Sequence, residues 1–385
     1  AALGMTHDLG FSDRVFGLGV GVFFIGYVAL QVPGTLLVDR WSARRMISLT
    51  LITWGLLTAL TALVHTPGQL YFARLVLGAS EAAFFPGMVV YLSHWFVRAD
   101  RAKSTSRFMA AIPLSFVIGS PIAGWILSHD WFTVEGWRWL FVLEGIPAIF
   151  LGAVAFFYLA DRPRDAAWLS LEQREWITKK LEEENAVNRQ LIGVGQMLRS
   201  RIVVVLTSVA FLAYFSTYAV YFWFPLILKR QSGLSNLWIG IYGAIPYAAA
   251  FAAMLIGGWH SDKKRERHWH AAVPLLIGAA GLMGLIHLPT STALTVALFS
   301  TVCVSMGFLP TFWAIPTEIL SETTAASAVG MINAIASIAG FAAPYAFGYL
   351  QTRTGTLAYG FAMLMVSALA GAALLLTPWA RKESK

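Results

Sequence analysis

Cysteine is all but absent from this chain, and charge is scarce. The one cysteine, Cys303, lies in an apolar run, so neither an intrachain disulfide nor a cysteine metal site can form. Charged residues make up only 12% of the 385 positions. No Ser/His/Asp, His-Glu-x-x-His or paired-acid constellation stands at catalytic spacing, so an enzyme is not expected. Among the eight histidines, His94, His260, His268 and His270 fall at predicted helix ends and read as solvated, without a metal-ligand set. Gly17-x-Gly19-x-Gly21 imitates part of a nucleotide fingerprint, but no strand precedes it and close helix packing explains it better. No metal and no organic cofactor is expected.

What fills the chain instead is apolar. Hydrophobic residues are 57% of the total, with 15 Trp and 26 Phe, and apolar runs near 20 residues recur along the whole length. The pattern predicts an all-α polytopic membrane protein of eleven spans: 14–38, 46–64, 68–95, 105–127, 138–160, 202–228, 238–259, 271–288, 292–316, 324–350 and 357–379. The formal charge of +8 gives no nucleic-acid signal, because the cations sit in short loops between spans. They alternate: 39–45, 98–107, 161–201, 262–267 and the tail are rich in Lys and Arg. Arg138, Lys229, Arg230 and Arg353 are most of what the opposite loops hold. The positive-inside rule then places the C-terminus in the cytoplasm of a cell whose inner membrane the chain spans. Residue 1 falls on the far side, which predicts a further span before it and twelve in all.

An internal repeat supports two halves. Asp39-Arg40 and Arg44 recur as Asp262-Lys263 and Arg267, and Pro121 recurs as Pro344, each 223 residues on. The expected division is an N-terminal bundle over 1–160, five of six helices being present, a cytoplasmic linker over 161–201 and a C-terminal six-helix bundle over 202–385. Within the linker, Ser170 and Gln173 have capping-box spacing at the start of an amphipathic helix.

The third span carries two charges, Arg74 and Glu81. Seven residues on a helix is about 700°, so both leave one face roughly 10 Å apart. A charge near the middle of a bilayer costs on the order of 3 kcal/mol on insertion scales, so this stripe faces a protein interior rather than lipid. Two readings stand: an internal ion pair that locks helices together, or an anion-binding guanidinium with a proton-carrying carboxylate beneath it. An arginine suits the second because it stays charged and offers forked donors to a carboxylate. A carboxylate in a poorly hydrated cleft holds its proton more tightly, which a proton carrier requires.

The duplicated acid-base loop, Asp39-Arg40-Trp41-Ser42-Ala43-Arg44-Arg45, resembles the signature of the major facilitator superfamily, with both of its glycines replaced; the second copy keeps Gly258. Further stretches resemble its anion:cation symporter family, which includes tartrate and phthalate permeases, sugar-acid transporters and vesicular organic-anion carriers. They are Phe24 to Pro33, Arg74 to Gly87, Gly136 to Gly145, Leu159 to Pro163 with Trp168-Leu169-Ser170, and Phe312 to Pro316. The resemblance implies two pseudo-symmetric six-helix bundles that rock about a central site. It implies that Arg74 binds the substrate carboxylate, that Glu81 carries the coupled proton, and that Tyr27, Trp313 and Asn333 line the pocket. Tyr214, Tyr218 and Tyr221 share one helix face that either lines the cavity or packs. Asp39, Arg40, Arg44, Asp262, Lys263 and Arg267 suit a breakable latch that favours one state. The expected activity is proton-coupled import of a small organic anion by a monomer in the lipid bilayer. The alternatives are a proton-coupled multidrug or cation exporter of the same fold, or a membrane-embedded sensor.

Overall fold

In a computed structural model the described residues are 2–186, 200–287, 291–319 and 322–378, and apart from one bridge between Trp131 and Val134 their regular structure is helical. Before residue 160 come α1 (Ala2–Asp8), α2 (Asp13–Arg40), α3 (Ala43–Leu60), α4 (Pro67–Glu81), α5 (Phe84–Trp95), α6 (Arg98–Ile126) and α7 (Gly136–Tyr158). A connecting helix, α8 (Leu171–Ala186), follows. Beyond it stand α9 (Arg201–Ser232), α10 (Asn236–Lys264), α11 (His268–His287), α12 (Thr292–Cys303), α13 (Phe308–Ile319), α14 (Glu322–Thr354) and α15 (Ala358–Leu375). Among the described residues, ten segments are long and apolar enough to cross a membrane. The eleventh expected span, 68–95, is present but broken into α4 and α5.

Local chemistry sets the helix ends. Ser12, Ser42 and Ser291 each accept a backbone N–H of the first turn, and Thr66 with Gln69 forms a full capping box ahead of Pro67. Ser170 and Gln173 close the expected box on α8 at 3.1 and 3.2 Å. The apolar residues of α8 split: Leu181 is buried, whereas Leu171 and Trp176 stay exposed.

The early helices pack on one another, chiefly α3 on α7 and α2 on α4. The late ones do likewise, α9 on α14 and α11 on α15, around a core that includes Trp223, Phe299, Phe312 and Phe347. The two groups meet along two helix pairs, α2 with α14 and α6 with α10. At α6–α10 the backbones nearly touch: a Cβ on Gly240 would lie 2.3 Å from the Ser120 carbonyl oxygen, and one on Gly124 2.9 Å from the Gly240 Cα. Small residues are what permit that approach. The Asn236 side-chain amide donates to the Leu127 carbonyl at 2.8 Å beside it. On the other pair, Gly17, Gly21 and Phe24 of α2 meet Pro344, Phe341 and Gly340 of α14. These contacts lie toward the end away from the basic loops. The seam is therefore shut on that side, and the space between the groups opens below it.

Candidate central site

That space is a cavity of about 480 Å³. Its wall includes Tyr27 of α2, Glu81 of α4, and Tyr214, Tyr218 and Tyr221 of α9, so the tyrosine face lines it rather than packing away. Trp223, one step off that face, is buried against Phe16 and Phe347 and donates its indole N–H to the Pro344 carbonyl. The rings form a continuous network: Phe24 meets Tyr218 at 5.2 Å, and Tyr218 meets Tyr214 at 5.4 Å and Tyr221 at 6.1 Å. Phe116 and Tyr247, from α6 and α10, extend it across the seam at 4.3 Å.

Glu81 is the last residue of α4, at a break that spans Ala82 and Ala83. Pro86 has no N–H to return to the Ala82 carbonyl, which weakens the helix at this point and favours the break. A matching break stands in the late group, where a 3-10 turn over Val304–Gly307 separates α12 from α13 ahead of Pro310. The repeat offset of 223 carries Ala82-Ala83 onto Ser305-Met306. Both breaks border the cavity, through Glu81, Phe84 and Phe85 on one side and Ser305, Met306 and Phe308 on the other. The charges do not repeat: Arg74 and Glu81 map onto Ala297 and Val304.

Arg74 stands one layer behind the wall. Its Nε donates to the Gly19 carbonyl at 3.4 Å, and its guanidinium carbon sits 4.8 Å from the centre of the Phe23 ring, which itself lines the cavity and stacks on Tyr27. Arg74 and Glu81 make no ion pair with each other. The arginine is thus held by a carbonyl and a ring, neither of which neutralises it.

Asn333 and Trp313 are also set back, only 6% and 7% exposed. Asn333 accepts a hydrogen bond from the Tyr214 hydroxyl at 3.4 Å and so reaches the cavity through that tyrosine. Most of the other lining residues escaped the sequence reading, Trp54 and Ser305 among them. Trp54 of α3 edges onto Phe84 at 5.9 Å, and Ser305 is a lining residue whose hydroxyl is buried and lacks a hydrogen-bond partner. Pro310 with Gly307, in the middle of an apolar span, was the signal that could have located Ser305.

Several contacts in the basic loops are local. Asp161, from the loop after α7, accepts the Ser42 hydroxyl at 2.8 Å and the Arg44 backbone N–H at 2.9 Å, with the Arg44 side chain at 4.0 Å. Arg267 bonds Asp262 and Ser261 of its own loop, and the Lys263 ammonium lies over Trp259 at 5.2 Å. The side chains of Asp39 and Arg40 lie outside the described residues. The histidines of the second loop are engaged rather than merely solvated: His260 meets His270 ring to ring at 2.7 Å, and His270 meets Glu266 at 2.7 Å. Among the described residues no group of three or more acids, histidines or cysteines could hold a metal.

Residues 1–344 match the model of the Major Facilitator Superfamily. The chain is 39% identical over 382 residues to a protein of Agrobacterium vitis named "Putative tartrate transporter", covering 96% of this chain and 86% of that one. It is 32% identical over 398 residues to a "Quinolone resistance transporter" of Acinetobacter baumannii, covering 100% of this chain and 90% of the relative. Among solved structures, a D-xylose-proton symporter superposes with a TM-score of 0.76 at 17% identity, over 97% of this chain and 90% of the other, which speaks to fold alone. With ten segments of membrane length among the described residues, an eleventh expected span broken into α4 and α5, and a family match over most of its length, the chain belongs to the Major Facilitator Superfamily.

Proposed function

We propose that the chain imports a small organic anion, a tartrate-like dicarboxylate or a sugar acid, together with protons, by alternating access across an inner membrane with its basic loops in the cytoplasm. One observation carries this reading: a guanidinium with no acidic partner among the described residues and a carboxylate stand on one helix, at a helix break, beside a cavity between two groups of helices. Such discontinuous helices at mid-depth are where transporters of several folds bind substrate and coupling ion.

Coupling follows from electrostatics. Seven residues of α4 put Glu81 about 10 Å along the helix axis from Arg74. At an effective dielectric near 20, an ionised Glu81 opposes a carboxylate seated on Arg74 by about 1.7 kcal/mol. That is somewhat more than tenfold in affinity. A proton on Glu81 removes the opposition, so proton and anion favour each other's binding and leave together. Phe23 must yield its cation–π contact, about 1 kcal/mol, before an anion takes the full face of Arg74. Tyr27, Tyr214 and Tyr218 then supply hydroxyls to the rest of the substrate.

A second reading has its own support. The cavity is mostly aromatic, Glu81 is the one acid among the described residues of its wall, and Arg74 is covered, an arrangement that also suits a proton-driven exporter of lipophilic cations. The Acinetobacter relative's name points the same way. Uptake and counterflow in proteoliposomes separate the two, with tartrate, a sugar acid and a fluoroquinolone as substrates, with and without a pH gradient. Import predicts carboxylate accumulation when the outside is acidic, abolished by Arg74→Ala. Fluoroquinolone extrusion with no carboxylate flux would replace it.

A further inference from the structure

A second cavity, of about 380 Å³, lies at the shut end of the seam and has no part in the central site. Arg14 and Gly17 of α2 line one side; Tyr345, Tyr349, Thr352 and Arg353 of α14 line the other. Nine residues of α2 separate Arg14 from Phe23, so the two cavities stand about 14 Å apart along that helix. Each guanidinium comes from a different group of helices. Both are exposed, and neither makes a hydrogen bond or ion pair among the described residues. The hydroxyls of Tyr345 and Tyr349 are likewise unbonded among those residues, and the Tyr345 ring is fixed by stacking on Phe341 at 5.9 Å.

We propose that this cavity is a second anion site, in which Arg14 and Arg353 together bind a small doubly charged anion and thereby hold the seam shut on this side. The argument is one of sign. Closing the seam brings two cations to one cavity whose described wall holds no acid, which opposes closure. An anion bridging them reverses that, because each arginine contributes a forked set of donors and the tyrosines add hydroxyls. Since the two arginines ride on different groups of helices, the complete site exists only when the seam is closed. A ligand that binds one state better shifts the population toward it by its differential affinity. The size is right for such a ligand, since small-molecule sites begin near 300 Å³. The proposal rests on the reading of the chain as an anion carrier. For such a carrier this cavity would be the first contact on the way in, and its filling would signal closure behind the substrate.

The test uses the full chain with Cys303→Ser and spin labels at Phe132→Cys and Tyr359→Cys, two exposed positions on opposite sides of the seam at this end. Distances are measured in nanodiscs of phosphatidylcholine while L-tartrate or sodium sulfate is titrated. Either anion is expected to raise the short-distance population. In Arg14→Gln/Arg353→Gln the half-saturating concentration should rise about tenfold, whereas Arg74→Gln should keep the response and Arg14→Lys/Arg353→Lys should restore most of it. An unchanged response in the double glutamine variant, or none in the parent, overturns the proposal. So does a response that appears only when anionic lipid replaces phosphatidylcholine, since the ligand would then be a headgroup. A sulfate response that the double variant loses, in a protein that takes up no tartrate, supports this site and sinks the proposed substrate instead.

Discussion

Replacing Gly78 with alanine should damage transport out of proportion to the size of a methyl group. Gly78 of α4 lies against α2, where its added Cβ would sit 1.9 Å from the Phe23 carbonyl oxygen; Gly26, on the facing helix, is 2.2 Å from the Leu75 carbonyl oxygen by the same measure. Ordinary contact begins at 3.4 Å, so α2 and α4 must part by about 1.5 Å. The better helix propensity of alanine returns up to about 1 kcal/mol, against about 1–3 kcal/mol or more for the overpacked crossing. The functional consequence is sharper. Phe23 and Tyr27 ride on α2, Arg74 and Glu81 on α4, so the two parts of the site move about 1.5 Å apart, and that misalignment outweighs the roughly 1 kcal/mol released when the Phe23 ring leaves Arg74. Initial-rate tartrate uptake in proteoliposomes, normalised to reconstituted protein, should fall at least about tenfold, with a lower thermal midpoint. Gly119→Ala, whose added Cβ meets nothing within 4 Å, is the control and should be close to neutral. Unchanged uptake and midpoint in Gly78→Ala would show that the α2–α4 crossing does not set the geometry of the site.

Three further perturbations follow from single contacts. Asp161→Asn weakens the acceptor shared by Ser42 and the Arg44 backbone, and a loss of about 1–2 kcal/mol should appear as earlier thermal unfolding with little change in substrate affinity. Ser305→Ala removes a buried hydroxyl in the cavity wall, so KM for a hydroxylated acid such as tartrate should rise about fivefold while that for succinate stays level; equal effects on both would remove Ser305 from substrate contact. Burial pushes the Glu266 carboxyl up, but hydrogen bonds from the Trp269 and His270 N–H groups and from the His270 ring outweigh it and leave it below its ordinary 4.5. A depressed carboxyl stabilises the α10–α11 turn above about pH 4.5, and that contribution is lost as pH falls through the folded value. Amide-exchange protection of residues 266–270 should therefore fall in that acid window, and Glu266→Gln should show low protection at every pH.

The membrane spans were legible because an apolar run of bilayer length, repeated along a chain, has almost nowhere to be buried except in lipid, and the offset of 223 linked the halves without any structure. The two helix breaks were not read, since hydropathy is blind to the backbone bonds that Pro86 and the turn before Pro310 interrupt. That Tyr214, Tyr218 and Tyr221 share one face was legible from helical spacing alone, but whether that face meets a cavity or packs was not. Where the answer depended on a neighbouring helix it was hidden: that Phe23 covers Arg74, or that Arg44 finds Asp161 across 117 residues, is decided by packing. Asn333 and Trp313 show the same limit, each close to the site yet behind its wall.

The central claim is that one helix carries both the anion's anchor and the proton. Glu81→Gln separates them: the variant should still exchange labelled for unlabelled tartrate at near-normal rates in counterflow, yet fail to accumulate it when a pH gradient is imposed. Full gradient-driven accumulation by Glu81→Gln would contradict the account.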